Sequence, residues 1–313
     1  MAISKARLIE SALRAAAGQD WALSIDSTAS GWRLSRDGSI LFANVDQHWL
    51  YLCMPLATDP AAQPPVDLRR FARLCHRMFM AKYSLDAAGQ LLLRTEIPLA
   101  DADHEYCRQA IEAMMVYRDR HDAAPPIRAT VTPHTNHASA TGGATASAEP
   151  EIVPAETWGL CIQSIAHLGW GMKEKIGANR WHAAYRGRER PFDVYLCANE
   201  AWVCVQLSMA DSSIGEDAGT EGTGAKILLT RYLLRLNDTM CWAKVGMNER
   251  DQMALMIEVP VGLFDVRRFR RVARTVAAYA DQYARDLQVA AALSKDRHLS
   301  QLLLAASHGE PPQ

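Results

Sequence analysis

A lysine and a glutamate, two residue types that can exchange a proton, occur together twice in this sequence. Lys82 and Glu96 recur as Lys244 and Glu258, each 162 positions after its counterpart. Such a pair could act as a general acid and base, or could hold the carboxylate of a ligand. It could equally form an ion pair between neighbouring strands, worth a few tenths of a kcal/mol up to about 1 kcal/mol. We favour the ion pair, because repetition indicates use by the fold without indicating catalysis.

Arginines are concentrated in two predicted helices, near residues 67–80 and 265–287. A basic helix face can bind phosphate groups, nucleic acid or an acidic peptide. Acidic residues share the last helix, and aromatic residues do not alternate with the arginines, so a solvated helix face is the simpler interpretation. The candidate acidic-ligand surface consists of Arg69, Arg70, Arg73, Arg267, Arg270 and Arg271.

Five large aromatic residues lie on predicted strands and are candidates for binding a partner protein. Tryptophan and tyrosine side chains often supply most of the binding energy of an interface. On a strand they more often belong to the core, and only an exposed cluster would form a binding surface. The candidate partner-binding residues are Trp32, Trp49, Tyr51, Trp181 and Trp202.

The sequence shows no clear motif for other kinds of catalysis. Cys53, Cys197 and Cys204 lie in apolar strands, where a thiol is buried and unreactive. The sequence contains neither a GxSxG nucleophile elbow nor a GxxxxGK[ST] phosphate-binding loop. His134 and His137 occupy a stretch rich in Ala, Thr, Ser and Pro, where two histidines are weak evidence for a metal site. We therefore predict no enzyme activity, no cofactor and no metal.

The overall composition restricts the possible partners. The chain has 313 residues, enough for two domains, and its 34 Lys and Arg nearly balance 35 Asp and Glu. This balance argues against nucleic acid or an anionic membrane as the main partner. The seven cysteines contain no CxxC pair, which is typical of reduced cytosolic thiols. With no apolar leader and no run of about 18 apolar residues, we expect a cytoplasmic protein.

The 162-residue offset extends well beyond the two Lys–Glu pairs. In both copies a helical pattern gives way to two short apolar strands and then to a second helix. So many matches at one fixed offset indicate a duplicated module. The matching positions include Leu74, Met78, Ala81, Leu93 and Pro98 in the first copy and Leu236, Met240, Ala243, Leu255 and Pro260 in the second.

Each copy reads as a helix, three strands, a helix, two strands and a closing helix. Strand signals cover 21–25, 32–34, 40–45 and 49–56 in the first copy, and 181–185, 192–198 and 202–209 in the second. The strand at Trp202 takes the place of the strand at Trp49, and Trp181 is expected to correspond to Trp32. The predicted parts of the chain are a first module (1–122), a flexible linker (123–154), a second module (155–290) and a tail that could be helical (291–313).

The order of elements resembles the YbjN/type III secretion chaperone-like fold. The resemblance rests on a hairpin whose last strand reads Glu96-Ile97-Pro98-Leu99 in one copy and Glu258-Val259-Pro260-Val261 in the other, before a closing helix. It implies an α+β protein with two tandem α-β-β-β-α-β-β-α modules related by a pseudo-two-fold axis. Chaperones of this kind are usually single-module chains that pair as homodimers. Here the resemblance implies a monomer with an internal pseudo-dimer, or a weak homodimer.

The function expected from this resemblance is binding of another protein. A chaperone- or adaptor-like module would hold an extended or partly unfolded segment in an apolar groove or at a sheet edge. One sheet face of this fold packs on helices, which leaves the other face for the aromatic candidates. An adaptor for an acidic ligand or nucleic acid, using the arginine helices, and an enzyme using a Lys–Glu pair stay open as alternatives.

Overall fold

The computed structural model describes residues 2–26, 31–56, 68–119, 155–177, 179–198, 202–210 and 223–293. The predicted linker at 123–154, with His134 and His137, lies outside these residues, as does nearly all of the predicted tail. By its internal contacts the chain divides into two compact units. The first unit comprises residues 1–126 and 226–245, and the second comprises 127–225 and 246–313. Residues 226–245, from the second copy of the repeat, therefore group with the first unit, and the domain bounds expected from the sequence stay a prediction.

The first copy of the repeat contains three helices and six strands. Helix α1 precedes four strands, α2 precedes a hairpin, and α3 closes the copy. In chain order the elements are α1 Ala2–Ala17, β1 Ala22–Asp26, β2 Gly31–Arg36, β3 Ser39–Val45, β4 Trp49–Pro55, α2 Leu68–Arg77, β5 Lys82–Leu85, β6 Leu91–Pro98 and α3 His104–Asp119.

The second copy repeats this order. Its hairpin is followed by a short 3-10 turn, Val261–Leu263, before the last helix begins. In chain order the elements are α4 Ala155–His167, β7 Gly171–Gly177, β8 Arg180–Arg186, β9 Pro191–Ala198, β10 Trp202–Ala210, α5 Thr223–Thr239, β11 Lys244–Met247, β12 Met253–Pro260 and α6 Val266–Leu293.

Each copy builds one six-stranded sheet with the same strand order. The first sheet runs β1-β2-β3-β4-β6-β5, and the second runs β7-β8-β9-β10-β12-β11. Neighbouring strands of the first sheet are antiparallel throughout. The second hairpin strand, β6, pairs with β4, and the first hairpin strand, β5, lies at the edge of the sheet. The predicted α+β class with two similar modules is confirmed.

The structure has four strands before the middle helix of each copy, whereas the predicted module order has three. In the first copy all four strands had a strand signal; in the second copy β7, Gly-Met-Lys-Glu-Lys-Ile-Gly, had none. Nearly all of its side chains are exposed, so it lacks the alternation of apolar and polar residues that marks a half-buried strand. Its pairing with β8 makes it a strand.

Strand register confirms the correspondence between the two copies. Strands β5 and β6 have the same bounds as β11 and β12 after the 162-residue offset. Trp49 and Trp202 lie opposite Pro98 and Pro260 respectively, as the predicted equivalence of their strands requires. The backbone repeats its unusual conformations as well, since Met80 and Trp242 have positive φ, as do Gly89 and Asp251. The duplication is therefore a property of the fold as well as of the sequence.

The core of each sheet consists of every second side chain along its strands, on the face of the sheet that the helices cover. On β10 and its neighbours the row Val194, Leu196, Val205 and Ile257 is fully buried, and α6 covers this sheet with Phe269 and other side chains. In the first sheet Leu34, Leu41, Leu52 and Leu93 play the same part. Burying each such side chain stabilises the folded state by about 1.5–3 kcal/mol. Among the helices of the described segments, none has the length and apolar character needed to cross a membrane.

Candidate functional site

Lys82 and Glu96 form a buried ion pair in the first unit. The two residues enter from neighbouring strands of the hairpin, and Lys82 Nζ lies 3.0 Å from Glu96 Oε2, with both side chains only 3% exposed. The ammonium group also donates to the main-chain oxygens of Met240 and Ala243, the latter at 3.0 Å. Each of its three hydrogens therefore has an acceptor. A fully engaged, buried ammonium group has no free position for a substrate.

Glu96 is also held by other groups of the first unit. Its Oε1 lies 3.5 Å from an amino group of Arg94, and its Oε2 accepts the main-chain N–H of Trp242 at 3.4 Å. Arg94 in turn pairs with Asp238 and donates to the Asp238 main-chain oxygen at 2.7 Å. Burial lowers the pKa of Lys82, and the neighbouring Glu96 opposes that shift. The arrangement is a buried ion-pair network, as the sequence interpretation favoured, in which Glu96 Oε1 has the ion contact with Arg94 but no hydrogen bond within the described residues.

The equivalent lysine of the second copy makes the reciprocal contact. Lys244 is buried and donates to the main-chain oxygen of Met78, while Lys82 donates to that of Met240. Met78 and Met240 are themselves equivalent positions of the repeat. All four residues belong to the first unit, and the two hairpin lysines therefore make reciprocal bonds between equivalent positions of the repeat. Glu258 is also buried, and lies opposite Cys204 on β10.

A second pair of equivalent positions of the repeat is also in contact within the first unit. Asn237 and Cys75 are 162 positions apart, and Asn237 Nδ2 lies 3.5 Å from Cys75 Sγ. Cys75 Sγ accepts the main-chain N–H of Tyr83 at 3.2 Å, and Asn237 Oδ1 accepts that of Val245 at 2.7 Å. Tyr83 and Val245 are again equivalent, so a thiol and an amide make the same helix-to-strand bond in the two copies. Sequence comparison alone does not match Cys with Asn at these positions.

Two of the aromatic candidates are positioned by Asp46. Its carboxylate accepts the main-chain N–H of Trp49 and the hydroxyl of Tyr51, at 2.7 and 2.6 Å. The Trp49 ring lies 5.8 Å from the ring of Trp242, and the Tyr51 hydroxyl lies 3.5 Å from Cys241 Sγ. Both candidates are half-buried. Both side chains are thus held in fixed positions within the first unit, and part of their surface is exposed to solvent.

The other three aromatic candidates differ in exposure. Trp32 and Trp202 are buried, whereas Trp181 is half-buried with the ammonium group of Lys175 at 5.8 Å from its ring. Trp32 and Trp181 occupy equivalent register positions, opposite Ala43 and Leu196. The same position is therefore more open in the second copy. Partner binding through these five residues stays a prediction.

The candidate arginines occupy two separate helices, one in each unit. On α2, Arg70 is exposed while Arg69 and Arg73 are half-buried. On α6, Arg270 is half-buried, and the exposed pair is Arg267 and Arg271. Their use as an acidic-ligand surface also stays a prediction.

The cysteines are free thiols, and burial makes them poor nucleophiles. Five are buried, and Cys53 and Cys241 are half-buried. Burial raises the pKa of Cys53 and Cys197 to about 11, and that of Cys161 to about 12. Only the thiolate attacks, and it is rare at neutral pH with such values. Within the part of the chain that the structure describes, no group of three His, Cys, Asp or Glu residues could hold a metal ion.

The second unit contains a cavity of about 600 Å³ that the sequence did not indicate. It lies between the end of α4, the β8–β9 turn and the middle of α6. Its apolar lining includes Trp170 and Tyr185, whose rings are 5.2 Å apart. The remaining lining residues are Leu168, Arg188, Arg274, Ala277, Ala278, Asp281 and Gln282.

Asp281 holds the β8–β9 turn against α6. One carboxylate oxygen accepts the Tyr185 hydroxyl at 2.6 Å, and the other accepts the main-chain N–H of Arg188 at 2.9 Å. Burial and the neighbouring Asp281 raise the pKa of Tyr185 to about 12. Gly187 is required here, because an added Cβ would lie 2.5 Å from Asp281 Oδ1 and from the Phe192 ring. The turn is thus fixed to the helix, which gives the cavity a rigid wall.

Two sequence differences between the copies contribute to the space at this place in the second copy. The β8–β9 turn has four residues, 187–190, whereas the equivalent β2–β3 turn has two, 37–38. On α6 the lining residues Ala277 and Ala278 stand where α3 has Met115 and Val116. A longer turn and smaller helix side chains leave more space here than the corresponding first-copy residues would. A comparison of side-chain size between the two aligned copies of the repeat could have indicated this cavity from the sequence.

Residues 23–120 match the sequence model of the Tir chaperone protein (CesT) family. The matched range covers β1 to α3, and hence most of the first copy of the repeat. The expected resemblance to secretion chaperones is confirmed for this copy, which has a secretion-chaperone-like fold. The equivalence of the second copy rests on its strand order and register. A comparison with curated protein sequences gives no match.

Proposed function

We propose that this protein is a non-enzymatic, cytosolic, chaperone-like protein that holds an extended or partly unfolded segment of another protein. The observation that carries the proposal is the match of residues 23–120 with the Tir chaperone family. That family is named for a chaperone, and a chaperone acts by binding a protein without converting a substrate. The buried Lys82–Glu96 pair supports the same conclusion, because its donors already have acceptors within the fold.

Strand β1, one of the two edge strands of the first sheet, is the segment to which we assign partner binding; the residues of the other edge strand, β5, are all buried. Strand β1 pairs with β2 in regular register from Ala22 to Asp26 and, among the strands of the described segments, has no second neighbour in the strand order. Ile25 on this strand is 72% exposed. An extended segment can add to such an edge through main-chain hydrogen bonds, with an exposed apolar side chain adding contact area.

The equivalent outer strand of the second sheet is less suited to this role. The register of β7 with β8 shifts twice, between Met172 and Glu174 and between Lys175 and Gly177. Bulges and lysines on an outer strand discourage pairing with a further strand. We therefore propose one strand-binding edge per chain, located in the first copy of the repeat.

We further propose that the two copies of the repeat take the place of the two chains of a chaperone homodimer. The reciprocal bonds from Lys82 to Met240 and from Lys244 to Met78 support this arrangement. Covalent linkage raises the effective concentration of one copy for the other to about the mM range. The expected species is a monomer, which sedimentation equilibrium of the full chain would test, and a tight dimer at micromolar concentration would contradict it.

Partner binding can be tested with one variant and one matched control. Tagged full-length protein would capture partners from native cytosol, and each identified partner would then be purified and titrated. Ile25→Asp, which places a charge on the β1 edge, should weaken binding at least about tenfold. Val289→Asp changes a side chain that is 50% exposed on α6 and should have little effect.

The same titration distinguishes the competing functions. An equal loss in both variants would contradict a specific β1 edge. A steep fall of affinity with salt would instead favour the arginine helices, because release of counterions dominates such binding. Turnover of a small substrate by the purified chain would overturn the non-enzymatic assignment.

A further inference from the structure

We infer that the cavity of the second unit is a binding site for a small carboxylate that carries an aromatic or aliphatic body. The cavity is formed by Trp170, Tyr185 and the alanines of α6, with Arg188 and Arg274 at its margin. This site goes beyond the proposed protein-binding function and does not depend on it.

The size and lining of the cavity fit a small ligand. Its volume of about 600 Å³ lies within the range of about 300–1,000 Å³ that is usual for small-molecule sites. Trp170 is buried, and its ring and that of Tyr185 present a joint apolar surface. Ala277 and Ala278 leave the opposite wall shallow, so a planar or branched body has room between the helix and the two rings.

The charges at the cavity select an anionic group. Asp281 is already occupied, since its two carboxylate oxygens accept bonds from the Tyr185 hydroxyl and from the main chain of Arg188. The guanidinium groups of Arg188 and Arg274 belong to exposed residues that line the same cavity. Arg274 has no hydrogen bond or ion pair with any residue of the described segments. Two arginines facing one engaged carboxylate leave a net positive charge for a ligand carboxylate.

The neighbouring strand favours a free small molecule over an extended peptide. Trp170 directly precedes β7, the outer strand whose register with β8 is interrupted twice. A peptide running along this edge would meet irregular main-chain donors and acceptors and the side chains of Lys173 and Lys175. A small ligand needs no such edge.

The first copy of the repeat provides an internal negative control. At the equivalent place α3 carries Met115 and Val116, and the strand turn is two residues shorter. Replacing Ala278 by the first-copy residue should therefore reduce the space available to a ligand. The substitution Ala278→Val affects an exposed side chain, so the fold should be retained.

The test uses full-length protein labelled at alanine methyl groups and followed by two-dimensional NMR. The ligands are 3-phenylpropionate and its neutral amide, 3-phenylpropionamide, added up to about 10 mM, a range that detects millimolar dissociation constants. The Ala278 resonance is assigned by its absence in Ala278→Val. We expect this resonance to shift with the carboxylate, and the amide to bind about tenfold more weakly.

Three variants test the assignment of groups. Arg274→Gln should weaken binding of the carboxylate about tenfold while leaving binding of the amide unchanged. Arg235→Gln removes an exposed arginine from α5, in the first unit and outside the residues that line the cavity, and should leave both affinities unchanged. Ala278→Val should weaken both ligands.

The inference is overturned if the Ala278 resonance does not move, if acid and amide bind equally, or if Arg235→Gln acts like Arg274→Gln. Tighter binding of the peptide acetyl-Gly-Gly-Phe than of 3-phenylpropionate would overturn the assignment to a small ligand and favour a peptide terminus. These readouts require no partner protein, so their failure is separate from failure of the β1 edge.

Discussion

The two copies of the repeat agree closely at the hairpin and differ at the outer strands. Strands β5 and β6 share their bounds, and their positive-φ positions, with β11 and β12 after the 162-residue offset. The edge strands β1 and β7 differ in regularity of register and in charge. The hairpins carry buried polar groups that bond within the fold, whereas most residues of β1 and β7 are exposed to solvent. Duplication therefore preserved the part under the strictest packing constraint and left the outer part free to diverge.

This contrast predicts where substitutions are costly. In the hairpins, the buried ammonium groups of Lys82 and Lys244 donate to main-chain oxygens, and loss of one side of such a buried bond leaves the other side unsatisfied. At the outer strands, solvent can replace a lost bond. The expected effects decrease from the hairpin outward.

The largest effect is expected for Glu96→Ala. The substitution leaves the buried ammonium group of Lys82 without its carboxylate, and breaking one side of a buried ion pair costs about 3–5 kcal/mol. Urea denaturation of the full chain, followed by circular dichroism, would measure the loss. Glu10→Ala removes an exposed helix pair with Arg14 and should cost less than about 0.5 kcal/mol. Equal costs for the two substitutions would contradict the buried network.

A smaller and unequal effect is expected at the equivalent positions Asn237 and Cys75. Asn237→Ala removes bonds to the main-chain oxygens of Tyr83 and Val245 and to the Val245 N–H, so we expect a loss near 3 kcal/mol. Cys75→Ala removes weaker sulfur contacts with Tyr83 and should cost about 1 kcal/mol. The same denaturation experiment compares them. A larger loss for Cys75→Ala would show that the two copies do not share this bond in the proposed way.

The smallest effect is expected on β8, the strand next to the edge strand β7 of the second sheet. Tyr185→Phe removes the hydroxyl bond to Asp281 and should cost about 1 kcal/mol at neutral pH.

The pH dependence of this contact has a defined sign. The folded-state pKa of Tyr185, about 12, is above its ordinary value of 10.0, so the folded state keeps this proton longer than the unfolded state. The stability that this bond contributes is therefore complete below pH 10 and is lost as the pH rises toward 12. Denaturation midpoints measured across this interval should fall less steeply in Tyr185→Phe than in the natural protein. Identical slopes would contradict the contact.

The local pattern of the sequence was sufficient to predict the duplicated hairpin. The repeated offset, the apolar strand pattern and the Glu-apolar-Pro ending identified the two hairpins that form β5–β6 and β11–β12. Predictions of this kind succeed because strand and turn preferences act over a few neighbouring residues. The same preferences failed for β7, because an exposed strand carries no apolar alternation and is defined by its pairing with β8.

For the candidate sites too, the sequence predicted some features, and others became visible only in the tertiary structure. The sequence selected Lys82 and Glu96 as a pair and favoured an ion pair, but it did not indicate the main-chain acceptors at Met240 and Ala243. It did not indicate the cavity either, because that space arises where the 187–190 turn meets α6.

The sequence alone determined the duplication, the α+β class and the strand order of the hairpins, since these follow from periodicity and from a repeated offset. Tertiary structure decided that residues 226–245 pack with the first unit, that the hairpin lysines are buried and reciprocal, and that one copy contains a cavity. The physical reason is that these properties depend on contacts between residues about 100 to 160 positions apart. Such contacts form only when the complete fold brings their partners together.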